Sequence, residues 1–305
     1  MSRAAEPGVV YLVGAGPGDP ELLTLRAVRL LETADVVLPD DLVSDEVLQL
    51  ASPSALVVPV GKRCGQPRIT QAGIHALMLE HAGAGRSVVR LKSGDPLVFG
   101  RAGEEIAALT EAGISFEIVP GITAAFAVAA ALKTPLTDRS SASKLIFATA
   151  HHAAGKLVTA VEHEQRQEQG QGQTQIPFGN DKEKANDKEK GNDKKRGWDG
   201  AFPQDATLVV YMPGRRFRAL ADELIGSGID AATPCVSVSK ASTAEERVHM
   251  TTLGCIEDEE VGPAPVVLLI GQALRIGAGA VVAADPMSQK RDMGHPVGVG
   301  RSGTR

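Results

Sequence analysis

The sequence predicts an α/β protein of two domains, the first on a parallel sheet and the second on a mixed one. Three observations predict it. Short, continuous β-branched runs alternate with helix-period segments through the first 120 residues. Such runs mean strands covered on both faces, as in a parallel sheet. Pro120–Gly121 then punctuates the chain, and a second set of strands follows with fewer helices between them. Glycine-rich turns sit directly after two strands of the first set, where open α/β sheets hold ligands.

In order, VVYLV (residues 9–13) is a strand, and ELLTLRAVRLLETA (21–34) carries a broad apolar helical face. DVVLP (35–39) and ALVVPVG (55–61) are strands, and TQAGIHALMLEHA (70–82) is a helix with Thr70 as its N-cap. SVVRLKSG (87–94), the helix EEIAALTEAG (104–113) and the strand FEIVPG (116–121) complete the first domain, residues 8–120. The second, 121–276, opens on the small-residue helix AAFAVAAALK (124–133). Its strands are KLIFATA, TLVVYM, PCVSVSK, RVHMTTL and PVVLLIG, with one helix, FRALADELIGSG (217–228). RVHMTTL and PVVLLIG lie close in sequence, so part of this second sheet is expected to be antiparallel. From about 162 to 203 the chain is polar and includes the repeat NDKEKA–NDKEKG–NDKKRG, too poor in apolar residues to offset its ordering entropy. This segment reads as a disordered insertion, and 277–305, rich in glycine, as a flexible tail.

Composition narrows the function. The 305 residues are 43% hydrophobic but only 3% aromatic, and the net charge of −5 argues against a nucleic-acid binder. The sequence contains no apolar run long enough to cross a membrane, and MSRAAEPG is not a secretory leader. Cys64, Cys235 and Cys255 follow neither a disulfide nor a metal-ligand spacing, so a cytoplasmic, metal-free protein is expected.

GAGPGD (14–19) resembles a dinucleotide fingerprint but fails as one. Its sixth position is Asp19, and Pro17 stands where a helix-opening amide should hold pyrophosphate. RLKSGDPLVFGRAGEE (90–105) repeats the Gly-Asp-Pro turn after another strand. Two such loops side by side, acidic and with open backbone, suit a cationic ligand bearing hydroxyls and an amino-acid tail, such as S-adenosylmethionine. Tight turns without a ligand remain the alternative.

Taken together, VYLVGAGPGDPELLTLRAVRLLETADVVLPDDLV, VGKRCG, RLKSGDPLVFGRAGEE, VPGITAA and LVVYMPG resemble the tetrapyrrole methylase family, over residues 9 to about 274 apart from the insertion. The likeness is to those members that methylate uroporphyrinogen III. It implies two α/β domains around a cofactor cleft, usually in a homodimer. It also implies methyl transfer from S-adenosylmethionine to carbons 2 and 7 of uroporphyrinogen III, giving precorrin-2 on the route to siroheme and cobalamin. Position by position, the resemblance implies cofactor contacts at Pro17, Ser93, Gly94, Asp95, Val98, Thr123, Ala124, Met212 and Ala241. It gives Asp40 as proton acceptor and Lys62 as proton donor.

The substrate is a polycarboxylate, so an acidic protein must concentrate cations at its site. Arg63, Lys92 and Arg101 are the expected substrate contacts. The sequence departs from the family in places. Ser93 stands where a glycine is usual, tolerable only at negative φ. Pro39 and Asp41 flank Asp40 where Tyr and Arg are usual, and Asp41 adds a negative charge that disfavours ionisation of its neighbour. Asp40 as a mere loop cap, a later corrin-ring methylase, a ribosomal-RNA ribose methylase, a nicotinamide oxidoreductase and a catalytically weak S-adenosylmethionine-binding homologue are the competing readings.

Overall fold

The computed structural model describes residues 4–61, 69–150, 158–159 and 202–275. The insertion apart from its last two residues, and the tail, lie outside the described residues. In the first half β1 (Val10–Gly14), β2 (Val36–Pro39), β3 (Leu56–Val57), β4 (Val88–Lys92) and β5 (Phe116–Val119) form one sheet in the order β3-β2-β4-β1-β5. Every pairing in it is parallel, as expected from the uninterrupted apolar runs.

Both faces of this sheet are covered, and the strand period of two sorts the side chains. Tyr11, Val13, Val89 and Leu91 pack with Leu30 and Leu31 of α1 (Leu25–Thr33). Val10, Leu12 and Val88 face the other way, against Ile74 and Met78 of α3 (Gln71–Gly83) and Leu109 of α4 (Ala102–Glu111). Each buried side chain of this size contributes about 1.5–3 kcal/mol.

Helix starts follow local capping. Thr70 accepts from the Gly73 amide at 3.1 Å, the N-cap expected of it. The first helix is shorter than its apolar pattern: Pro20–Leu22 makes a separate 3₁₀ turn, and Thr24 caps α1 by accepting from Ala27 N at 3.1 Å. A hydroxyl able to satisfy an orphan amide set the boundary there, against the run of leucines. Ser44 similarly caps the short α2 (Asp45–Leu48), which the hydrophobic pattern does not reveal.

The second half begins with α5 (Ala124–Ala131). Its sheet comprises β6 (Lys144–Thr149), β7 (Val158–Thr159), β8 (Ala206–Tyr211), β9 (Pro234–Ser239), β10 (Arg247–Thr252) and β11 (Val266–Ile270). The strand order is β10-β9-β11-β8-β6-β7, and only β6 with β8 pairs in parallel among the described strands. The sheet is mixed and partly antiparallel, as expected: β9 lies between β10 and β11 and is antiparallel to both.

One face packs on α6 (Phe217–Gly226) through Leu208, Val210, Leu220, Leu224 and Ile270. Phe202, within the expected insertion, is buried in this same core, so the bound of the insertion at 203 overlaps the fold. The other face meets α5 through Val128, Leu132, Val209, Val238 and Leu269. Among the described residues no helix is long and apolar enough to cross a membrane.

Candidate active site

The two glycine turns lie side by side at the carboxyl edge of the first sheet. β1 ends at Gly14, and Ala15 N then donates to Lys92 O at 2.7 Å. Gly16 and Gly94 exchange backbone bonds, Gly16 N to Gly94 O at 3.2 Å and Gly94 N to Gly16 O at 2.7 Å. Both glycines are left-handed, with φ of 67° and 68°. The left-handed turn falls on Gly94, and Ser93 is outside the left-handed region, meeting the condition for a side chain there.

A third glycine closes the cradle. A Cβ on Gly121 would stand 2.2 Å from Gly94 O, and one on Gly14 would stand 2.6 Å from Gly121 Cα. Three strand ends therefore touch backbone to backbone, and no side chain fits between them. Asp95 ties this edge together: Oδ1 accepts from Leu97 N at 2.8 Å and Oδ2 from Gly121 N at 3.0 Å. Its carboxylate thus fixes the turn besides any role toward a ligand. Asp19 is likewise engaged, capping the 3₁₀ turn by accepting from Glu21 N.

Loops of the second half reach this edge. A Cβ on Gly18, which follows Pro17, would lie 3.2 Å from Thr243 Cγ2 and 3.8 Å from Ala241 O. The loop after β9 that carries Ala241 thus lies against the first turn, with Lys240 and Ser242 both left-handed. Gly94 lies beside Thr123, the residue before α5, and Thr123 Oγ1 is 2.6 Å from Tyr211 Oη, the two hydroxyls hydrogen-bonding. Phe99, left-handed in the second loop, sets its ring 5.3 Å from that of Tyr211. Burial pushes the Tyr211 hydroxyl above its ordinary pKa, opposed by the Thr123 bond. Met212 follows, left-handed and half-exposed at the end of β8. The structure gathers Pro17, Ser93, Gly94, Asp95 and Val98 on the two turns, and Thr123, Ala124, Met212 and Ala241 on the facing loops and helix start. Tyr211 belongs with them; its signal was the aromatic before Met212.

A second cluster sits under the same sheet edge. Asp40 follows β2, its amide donating to Leu91 O at 2.9 Å. Arg90 and Lys92 are two apart on β4, so both face α4, where Glu105 is fully buried. Arg90 donates from Nη2 to Asp40 Oδ1 at 2.5 Å, from Nε to Glu105 Oε1 at 3.0 Å and from Nη1 to Leu38 O at 3.0 Å. Lys92 Nζ donates to Glu105 Oε2 at 2.8 Å. Burial, helped by the Arg90 charge, pushes the Lys92 ammonium below its ordinary range, and Glu105 opposes this.

Desolvating these charges is costly, and their pairing offsets it. Glu105 also lies in the first turn of α4, where the helix dipole favours an anion. Lys92, expected to be a substrate contact, is instead buried with its ammonium committed to Glu105, so it does not present a cation to a ligand. Arg101 is exposed and left-handed, and it forks onto Glu104 at 2.7 Å through both Nε and Nη2.

Asp40 opens on a recess of about 180 Å³ lined by Asp41, Val43, Asp45, Leu48 and Pro59. Gly61 presses against Asp41: a Cβ there would stand 2.3 Å from Asp41 N. Lys62 and Arg63 follow Gly61 directly and lie outside the described residues. Sequence reasoning missed Arg90 and Glu105. The available signal was a pair of cations at alternate positions of a strand that should be buried on both faces.

The family of Tetrapyrrole (Corrin/Porphyrin) Methylases matches residues 9–257. The chain belongs to this family. This tetrapyrrole methylase is 39% identical over 267 residues to a Uroporphyrinogen-III C-methyltransferase of Paracoccus denitrificans, covering 87% of the chain and 80% of the relative. It is 40% identical over 273 residues to the chloroplastic S-adenosyl-L-methionine-dependent uroporphyrinogen III methyltransferase of Arabidopsis thaliana, covering 88% of the chain and 64% of the relative. The chain spans about half the length of the siroheme synthases it also matches. Among solved structures, Uroporphyrin-III C-methyl transferase from Thermus thermophilus, complexed with S-adenyl homocysteine, is 36% identical with a TM-score of 0.64. The match covers 88% of this chain and 93% of that one.

Proposed function

We propose that this tetrapyrrole methylase transfers methyl groups from S-adenosylmethionine to carbons 2 and 7 of uroporphyrinogen III, giving precorrin-2. One observation carries the reading: an open backbone cradle at Gly16, Gly94 and Gly121 stands at the same sheet edge as a carboxylate held by a buried arginine. Similarity to uroporphyrinogen III methyltransferases supports the substrate. The residues fit the donor, because at the left-handed Gly16 and Gly94 no side chain covers the backbone that a nucleoside and its amino-acid tail would approach, while Gly121 has no room for a Cβ. Pro17, Ser93, Gly94, Asp95, Val98, Thr123, Ala124, Met212 and Ala241 are the residues that would hold it.

When bound, the donor supplies an already activated methyl group. What remains for the chain is to position the pyrrole carbon and to take a proton from the macrocycle afterwards, and positioning alone can contribute several kcal/mol. Asp40 is the acceptor in this reading and Lys62 the proton donor. Arg63 and Arg101 serve the substrate carboxylates, with Arg101 exchanging Glu104 for them.

The domains divide near residue 120, and the protein works as a homodimer in the cytoplasm. Half-exposed Phe126 beside an apolar groove of about 480 Å³, lined by Ala129, Leu136 and Leu145, supports a second copy as cover. Free Cys235 and Cys255 accord with a reducing compartment, and burial raises the Cys235 thiol to about 12, keeping it unreactive.

The test is to incubate the purified protein with uroporphyrinogen III and isotope-labelled S-adenosylmethionine, and to weigh the product. Two labelled methyl additions are expected; an unmodified macrocycle would refute the assignment.

A further inference from the structure

The charged cluster beneath Asp40 is more ordered than a lone carboxylate in a loop requires. Glu105 is fully buried, and its two oxygens are divided between Arg90 and Lys92. Arg90 in turn spends Nε on Glu105 and Nη1 on the carbonyls of Leu38 and Leu91, which fixes the guanidinium plane and leaves Nη2 for Asp40. The Asp40 side chain stays 33% exposed on its recess while its partner is 3% exposed. A guanidinium locked on three sides allows its fourth contact little play.

We propose that Arg90, Glu105 and Lys92 are positioning residues for the proton transfer. Lys92 holds Glu105, Glu105 locks Arg90, and Arg90 aims the Asp40 carboxylate into the recess. The inference rests on the reading of Asp40 as proton acceptor. In the step it serves, a C–H bond of the methylated macrocycle breaks, its electron pair re-forms a ring double bond, and the proton passes to Asp40. Other charges facing Asp40 are Asp41 and Asp45 on the recess wall. On α3 and α4, His75, Arg101 and Lys92 act on the charge of Glu104, and within the Arg101–Glu104 pair the charges offset each other.

The test compares Arg90→Gln, Arg90→Lys, Glu105→Gln and Asp40→Asn in the full chain. It measures the pH profile of kcat with uroporphyrinogen III, and calorimetric binding of S-adenosylhomocysteine as a check on fold. Removing the cation in Arg90→Gln disfavours the ionised acceptor, so the acidic limb of kcat moves to higher pH and kcat falls by about tenfold or more. Removing the anion in Glu105→Gln moves that limb to lower pH. Arg90→Lys restores the limb toward wild type without restoring kcat, because an ammonium lacks the fork. S-adenosylhomocysteine affinity stays unchanged throughout. Should Glu105→Gln not fold, the doubly neutralised Glu105→Gln/Lys92→Met keeps the charge balance; a wild-type limb with lowered kcat is expected from it. Limbs that stay put in Arg90→Gln and Glu105→Gln, limbs that move the same way in those two, or wild-type kcat in the double variant would overturn the inference. Full turnover by Asp40→Asn would instead overturn the reading of Asp40 itself.

Discussion

The glycine cradle and the charged corner stand at the carboxyl ends of the same strands, yet they are held by opposite means. The cradle is backbone against backbone: Gly14 and Gly121 approach each other and the Gly94 carbonyl so closely that neither has room for a Cβ. The corner is side chain against side chain: Arg90, Lys92, Glu105 and Asp40 satisfy one another's charge in a largely dry environment. β4 serves both, offering Lys92 O to the first turn and its cationic side chains to the corner. Shape keeps the first region in place and charge compensation the second. The two should therefore fail under different perturbations.

The largest effect is expected at the corner. Glu105→Ala strands two buried cations, and loss of one partner of such a pair costs about 3–5 kcal/mol. Thermal denaturation should show it as a large fall in Tm, whereas an unchanged Tm would mean that water or another anion compensates. In the cradle, Gly121→Ala puts a methyl on Gly94 O and should cost about 1–3 kcal/mol by overpacking. It should also weaken S-adenosylhomocysteine binding in calorimetry. Tight binding by that variant would dissociate the cradle from the donor. Within the second half, Thr123→Val removes the hydroxyl paired with Tyr211 and should cost about 1 kcal/mol in urea denaturation.

Smaller effects test the surface. Asp35 accepts from both the amide and the hydroxyl of Ser87, which holds its carboxyl below the ordinary aspartate range. A depressed folded value gives stability present above the unfolded range and lost as pH falls through the folded one. Asp35→Asn should therefore flatten the acid side of the stability profile, and an unaltered profile would show the bond to be inconsequential. Arg101→Ala should leave Tm unchanged, since its partner Glu104 is exposed. The same variant should raise KM for uroporphyrinogen III if Arg101 meets the substrate.

The cradle was far more legible in the sequence than the corner. Glycine after a strand, repeated as Gly-Asp-Pro, announces a turn whatever surrounds it, and VVYLV and SVVRL announce strands buried on both faces. Placing these two turns together needed only the parallel order of the strands. The corner depends on Arg90 meeting Glu105 on a separate helix, and no local pattern records that meeting. Reading Lys92 as a substrate contact failed for the same reason: alternation along β4 puts it with Arg90 on the α4 side, in the interior. The start of α1 was misplaced because Leu22 and Leu23 continue the apolar pattern past the Thr24 cap. The antiparallel part of the second sheet was legible, but not its strand order: β9, earlier in the chain, takes the place between β10 and β11.

The most direct measurement is a crystal structure of the protein with S-adenosylhomocysteine. The expected result is a ligand at the strand ends, with polar atoms within hydrogen-bond distance of the backbone around Gly94 and Thr123 and its sulfur facing the Asp40 side. A ligand seated away from both glycine turns would contradict the assignment.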